Sequence, residues 1–333
     1  MILTLQELTA ITKGCLSIRE TDSGFLFQRM TDRQLAAVDH IERYRMRAQF
    51  PAGVRLDFLT DASAISFDYN ILEFDPNRDF FGIDLYVDDV MVHTLCEKPI
   101  AHKMGCFSCE LGALIDGRTM RHIVLYLPIS AIFAVSSVVL RDAARLERGP
   151  DEDGVLLCYG DSITQGYDAL HPSLGYAAIL ARSLGLGLLN QAISGYVFDP
   201  ATIDPAQVPT PRRVLVAYGT NDWTNKASLE EVRRDMDRYL DALVDAFPAC
   251  RIDLILPIWR GDCQEVTAVG RFFQVLEALE SSAQRRPRIH IWNGQLAVPH
   301  CTEFFADGSL HPNDTGMLLY AQWLLPRLKG DRS

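Results

Sequence analysis

The pattern of apolar residues changes character near Gly154, and this change limits the folds open to the 333-residue chain more than any other feature. Beyond it, apolar runs of strand length alternate with helical segments. VLLCYG, LGLLNQA, RRVLVAYG, RIDLILP and RIHIWN read as strands. Helices are expected from about residue 173, over 228–247, over EVTAVGRFFQVLEALESSAQ and over DTGMLLYAQWLLPRL. The second is the best marked. Ser228 and Glu231 have capping-box spacing, Leu229, Val232, Met236, Leu240, Leu243 and Phe247 share one face, and Pro248 stops it. Strands alternating with helices mean a parallel sheet covered on both faces, with ligands bound beyond the carboxyl ends of the strands.

Residues up to about 147 have a different period. VRLDFLT, AISFDYNI, FFGIDLYVDD, VMVHTLC, RHIVLYL and FAVSSVVLRD alternate or are β-branched, and Asp, Asn, Gly and Pro clusters separate them. Only TDRQLAAVDHIERYRMR reads as an early helix. Many short strands without alternating helices predict an antiparallel sandwich or jelly-roll-like domain. LERGPDEDG reads as a linker, so the expected division is a β-rich accessory domain over 1–150 and an α/β domain over 151–333.

Several function classes fall away. Lys and Arg number 32 against 43 Asp and Glu, a formal charge of −11, which is the wrong sign for a nucleic-acid binder. The uncharged run IVLYLPISAIFAVSSVVL approaches membrane-spanning length. Pro128, Ser130, Ser136 and Ser137 interrupt it, and its β-branched halves fit two strands joined by a turn; no membrane partner is expected. The first twenty residues lack the basic and apolar regions of a secretory signal. Of eight cysteines, only Cys106 and Cys109 form a CxxC, with no second pair to complete a zinc site. Reduced thiols and a cytoplasmic location are the expectation.

Polar residues gather in the loops after the strands of the second half. They are Gly160-Asp161-Ser162-Ile163-Thr164-Gln165-Gly166, Ile193-Ser194-Gly195, Gly219-Thr220-Asn221-Asp222-Trp223, Ile258-Trp259-Arg260 and the segment from Asp307 to Asn313. This set supplies what acyl transfer needs. Ser162, at a strand-to-helix turn, is a candidate nucleophile, and a serine hydroxyl is weak until a base such as His311 takes its proton. Asp307 is close enough in sequence to orient the imidazole. The backbone N–H groups of Ser162 and Gly195 and the side-chain amide of Asn221 are candidate oxyanion donors. Asp161 and Asp222 read as turn-stabilising neighbours. Tyr196, Trp223, Trp259, Arg260 and His171 could line the entrance, whereas His40, His93, His102, His122 and His290 read as ordinary strand or surface residues. No motif calls for a metal, a nucleotide or another cofactor.

GDSITQG, NQAISG, GTND and DGSLHPN, in that order, resemble the four sequence blocks of the SGNH (GDSL) hydrolases, over about residues 154 to 328. The resemblance implies a flavodoxin-like three-layer α/β/α fold and an esterase or acylhydrolase activity. It assigns Ser162, Gly195, Asn221 and His311 the roles that chemistry suggests for them. A β-rich domain before such a domain resembles carbohydrate esterase family 2, which implies a short acyl group, acetyl above all, on a carbohydrate or similar small polar substrate. The chain departs from the family in one place. The family acid stands three residues before the histidine, where this chain has Gly308; Asp307 is four back. Either the loop absorbs the extra residue or a Ser–His dyad operates with a backbone carbonyl orienting the ring. Competing readings are a lysophospholipase- or thioesterase-like acylhydrolase, and a carbohydrate-binding protein with an inactive esterase domain.

Overall fold

Burial that alternates along the N-terminal strands, as in Ala64–Phe74, leaves each strand one apolar face to cover, and two antiparallel sheets cover each other. The structure, a computed structural model, describes residues 1–111, 119–206 and 208–330. It divides into two compact units. The first comprises Met1–Met30, Gln49–Glu152 and Leu170–Ser173. One of its sheets runs in the order Ser17–Thr21, Gly24–Gln28, Ala131–Arg141, Ala64–Phe74, Met104–Glu110. The other runs Thr12–Lys13, Arg55–Thr60, Arg121–Tyr126, Phe81–Val87, Val90–Glu97, with Leu146–Arg148 also paired to Arg55–Thr60. Inward side chains of both sheets, among them Phe58, Phe67, Phe81, Phe107 and Phe133, form one core. Phe81 spans it, with ring centroids 5.4 Å from Tyr69 and 5.8 Å from Phe133.

The uncharged run is indeed two strands, Arg121–Tyr126 and Ala131–Arg141. Among the described residues no helix is long and apolar enough to cross a membrane. Cys106 and Cys109 lie on one strand, three residues apart and so on opposite faces, and both are free. Two features differ from expectation. Ser17–Thr21 and Gly24–Gln28 form a hairpin that sequence patterning leaves unassigned, because a mostly polar edge strand shows little alternation. The segment read as a linker contributes an edge strand, Leu146–Arg148, before the chain leaves the sheet.

The second unit comprises Thr31–Ala48, Asp153–Ala169 and the chain from Leu174 onward. The early helix is two helices, α1 (Asp32–Val38) and α2 (Glu42–Ala48), and both pack with this unit, although they lie within the stretch assigned by sequence to the sandwich. Their buried polar side chains explain the choice, since a buried polar group needs a partner. Thr31 Oγ1 donates to Asp204 at 2.7 Å, and Gln34 Nε2 donates to Gln191 Oε1 and to the Thr202 carbonyl, each at 2.7 Å.

Five parallel strands form the sheet of this unit: β1 (Val155–Gly160), β2 (Gly187–Asn190), β3 (Arg213–Ala217), β4 (Arg251–Ile255) and β5 (Ile289–Trp292). Their order is β2-β1-β3-β4-β5, the flavodoxin-like arrangement, with the reversal of direction at β1. Helices α3 (Ser162–Gln165), α4 (Tyr176–Leu184), α5 (Thr220–Asn225), α6 (Leu229–Ala246), α7 (Phe272–Gln284) and α8 (Asp314–Gly330) follow in chain order, with α4 packed on α8 and α6 on α7. This is the three-layer fold the resemblance implies. Ser228 caps α6 by accepting the Glu231 N–H at 3.2 Å, but the Glu231 carboxylate takes the Ala227 N–H, so the box is half formed. Helix α7 starts later than its apolar pattern suggests. Residues 266–271 fold instead as a small hairpin, which Gly270 permits by adopting φ +108°.

Replacing Gln34 by Ala would leave the groups around it without partners. The expected loss is about 1–3 kcal/mol of stability, measured by urea unfolding, with the loop that carries Ser162 unaffected in the folded protein.

Candidate active site

Strand β1 delivers Ser162 through a sharp turn whose geometry begins at Gly160. A Cβ there would lie 2.3 Å from Thr164 Oγ1 and 2.9 Å from the Ala217 carbonyl, so only glycine lets the chain turn directly into α3. Asp161 caps this short helix, its Oδ1 accepting the Ile163 N–H at 3.0 Å. Ser162 occupies the first helical position, where helix geometry gives its N–H no intrahelical acceptor. The loop after β5 brings His311. His311 Nε2 lies 2.9 Å from Ser162 Oγ, and His311 Nδ1 lies 2.7 Å from Asp307 Oδ2.

Gly308 absorbs the extra residue between Asp307 and His311. It sits at φ +72°, a left-handed conformation that tightens the loop. The other Asp307 oxygen then accepts the N–H groups of Ser309, Leu310 and His311 at 3.0, 2.8 and 3.1 Å. Partial burial would raise the Asp307 carboxyl, but the His311 ring and the Leu310 and Ser309 N–H groups outweigh it and hold it well below the usual carboxylate range. A carboxylate fixed at both oxygens in this way sets the orientation of the imidazole.

Gly195 lies in the loop after β2, at φ +81°. Each peptide around it is tied down. The Ile193 N–H bonds the Gly160 carbonyl at 2.9 Å, the Ser194 N–H bonds Gln165 Oε1 at 2.6 Å, and Asn221 Nδ2 donates to the Tyr196 carbonyl at 3.1 Å. The last bond links the loop after β3 to the loop after β2, and it uses one of the two N–H groups of the Asn221 amide. Two residues that the sequence did not single out complete the frame. Arg47 Nη1 donates to the Ser194 carbonyl and Tyr44 Oη to the Gly195 carbonyl, each at 3.0 Å. Both come from α2, more than a hundred residues upstream, and no local motif marks them.

The remaining sequence candidates separate. Trp223 is buried, donates to the Gly270 carbonyl and lies under the Arg260 guanidinium, so it is packing. Trp259 stacks on His300, and Tyr196 donates to Asp199 at 2.6 Å. His171 belongs to the first unit, where its Nδ1 lies 2.8 Å from Asp84. Asp161 and Asp222 both serve loops, the latter accepting the Phe198 N–H at 3.2 Å. Among the described residues, Asp168, Asp307 and His311 place three potential metal-ligand atoms within 4.8 Å of one another. Two of the three already bond each other, and the same imidazole faces Ser162, which fits an acid–base pair better than an ion cage.

Residues 158–319 match the family described as GDSL-like lipase/acylhydrolase. They form a GDSL hydrolase domain. The match covers just under half of the chain and supports a carboxylic-ester hydrolase activity for that domain. No curated protein matches it by sequence. Solved structures share the fold at low identity. A salicylyl-acyltransferase, SsfX3, from a tetracycline biosynthetic pathway has a TM-score of 0.82 at 18% identity, covering 96% of this chain and 94% of its own. A protein from Bacteroides ovatus described as a GDSL-like lipase has a TM-score of 0.78 at 18% identity, covering 99% and 97%. A carbohydrate esterase family 2 enzyme with a carbohydrate-binding domain, from Corynascus thermopiles (Myceliophthora fergusii), has a TM-score of 0.59 at 15% identity, covering 84% and 94%. The β-rich N-terminal unit together with the GDSL domain matches the architecture of that third neighbour.

Burial within the GDSL domain pushes the Asp222 carboxyl up to about 7; the Phe198 N–H and Lys226 oppose the shift and the Asp161 charge adds to it. Because its folded value is raised, folded protein holds a proton that unfolded chain releases above about pH 4. Its contribution to stability is therefore present below that pH and is lost as pH rises through about 7. Asn keeps an acceptor for Phe198 but cannot ionise. Asp222→Asn should be close to neutral near pH 4–5 and gain on wild type between pH 5 and 8, in urea unfolding at each pH. A difference independent of pH would contradict the assignment.

Proposed function

We propose that this chain is a serine esterase that removes short acyl groups, acetyl above all, from hydroxyls of a carbohydrate or similar small polar substrate. The single observation that carries the reading is the continuous array from Asp307 through His311 to Ser162, with interatomic distances of 2.7 and 2.9 Å. In the proposed reaction Ser162 Oγ attacks the ester carbonyl while its proton passes to His311 Nε2. Asp307 accepts from Nδ1 and stabilises the imidazolium. The N–H groups of Ser162 and Gly195 and the second N–H of the Asn221 amide bind the oxyanion. His311 then protonates the departing alcohol, leaving the acyl group on Ser162. Water, losing a proton to His311, attacks that acyl group and frees the acid and Ser162.

The preference for short acyl groups on carbohydrate rests on the likeness in architecture to carbohydrate esterase family 2. A second reading keeps the first half of the reaction and changes the second: an alcohol, instead of water, takes the acyl group from Ser162. The 96% coverage by a neighbour named as an acyltransferase favours testing it. It is distinguished by adding small alcohols to the assay, since transfer yields a new ester and hydrolysis yields only the acid.

Two outcomes test the proposal. Ser162→Ala should lower kcat on p-nitrophenyl acetate by about 10³-fold or more while leaving the fold intact. The acetate should be cleaved much faster than the decanoate; the reverse order would favour the lysophospholipase-like reading. A panel of acetylated sugars assayed with both proteins identifies the alcohol. If no activated ester is hydrolysed and Ser162→Ala changes nothing, the esterase domain is inactive and the carbohydrate-binding reading gains.

A further inference from the structure

The turn that carries Ser162 returns to the histidine a second time. After α3, Gly166 adopts φ +96° and Asp168 adopts φ +76°, so two left-handed residues within three positions fold the exit of the helix back on itself. Aspartate tolerates that conformation better than most residues, but the strain remains. The result is that the Tyr167 ring lies 5.5 Å from the His311 ring, and Asp168 Oδ2 lies 3.6 Å from His311 Nδ1. That is the same nitrogen that Asp307 faces at 2.7 Å. The Asp168 side chain is only 7% exposed against 28% for Asp307, so its charge is the less screened of the two.

We propose that Asp168 is a second carboxylate for His311, a positioning residue that shares the imidazolium with Asp307 and takes over its Nδ1 when Asp307 is lost. The inference rests on the reading of Ser162 and His311 given above. When His311 removes the Ser162 proton, the positive charge spreads over both ring nitrogens, and two carboxylates on the Nδ1 side stabilise it more than one. At 3.6 Å Asp168 adds charge without competing for the proton that Asp307 accepts. The difference between 3.6 Å and bonding range is a fraction of an ångström. The departure of this chain from the usual family spacing is then buffered: the acid on the histidine loop and an acid on the nucleophile turn serve one base.

This changes what an Asp307→Asn experiment means. Retained turnover in that variant would otherwise point to a Ser–His dyad; here it is the expected result of Asp168 standing in. The discriminating set is Asp307→Asn, Asp168→Asn and the double variant, with Ser162→Ala as control, assayed on p-nitrophenyl acetate across pH. Each single substitution should lower kcat/KM by less than about tenfold, and the double by about 10³-fold or more, well beyond the product of the singles. The pH profile reads the electrostatic part. Charged groups near His311 include Asp307 on its own loop, Asp161 and Asp168 on the nucleophile turn, Arg47 on α2, whose guanidinium lies 5.7 Å from the Tyr167 ring that faces His311, and the Arg260–Asp262 pair on the loop after β4, whose charges act on Asp161 and Asp307. Removing the Asp168 charge makes the protonated ring less favourable, so the acid limb of kcat/KM should move to lower pH in Asp168→Asn, which a merely structural role would not do.

If Asp168→Asn has no effect in the Asp307→Asn background and leaves the acid limb in place, Asp168 has no such role. If Ser162→Ala retains full activity, the esterase reading itself fails, separately from the role of Asp168. Should Asp168→Asn fold poorly, Asp168→Gly accepts the left-handed backbone and carries the same expectations, so the outcome still decides.

Discussion

The end of strand β1 is the constraint on which the rest of the GDSL domain depends. There the Gly160 carbonyl accepts the Ile193 N–H at 2.9 Å, while its missing side chain leaves room for Thr164 and the Ala217 carbonyl. Three adjacent parallel strands thus present their carboxyl ends at one point, and the loops that follow cannot separate. Ser162 is placed two residues beyond that point, Gly195 two beyond Ile193, and Asn221 four beyond the end of β3. Adding even a methyl at Gly160 would push the turn away from β3, and the loops would lose their register together.

The polar interior of the site follows from this crowding. Bringing loops together at a sheet edge buries carboxyl groups, and burial drives Asp161 up to about 6 and Asp222 up to about 7. Asp307 goes the other way, because an imidazole and backbone N–H groups surround it. Acids with opposite shifts thus share one small region. Those pushed up support loops, each through a backbone N–H; the one held low faces His311. In the proposed mechanism that division lets His311 gain a proton beside a group that stays ionised.

Much of this was legible in the sequence because it is written locally. Each parallel strand is a short apolar run, each active loop follows one directly, and four blocks in fixed order locate Ser162, Gly195, Asn221 and His311. Gly308 looked like a departure from the family, and its positive φ is what lets Asp307 reach the ring. What the sequence hid depends on pairings across long separations. Nothing in TDRQLAAVDHIERYRMR announces that Gln34 will bond Gln191, or that Arg47 and Tyr44 will hold the carbonyls of Ser194 and Gly195. The same holds for residues 170–173, whose Ser173 and His171 meet Asp84 in the β-rich unit. Period and propensity report which face of an element is buried, not what a polar side chain finds there.

The central claim is that Ser162, made nucleophilic by His311, forms a covalent bond with the acyl group. A fluorophosphonate probe tests it directly, because phosphorus is attacked by an activated serine and the adduct is stable. Intact mass spectrometry followed by peptide mapping should show a single adduct on Ser162, absent from Ser162→Ala and strongly slowed in His311→Ala. An unmodified protein, or an adduct on a different residue, would contradict the account.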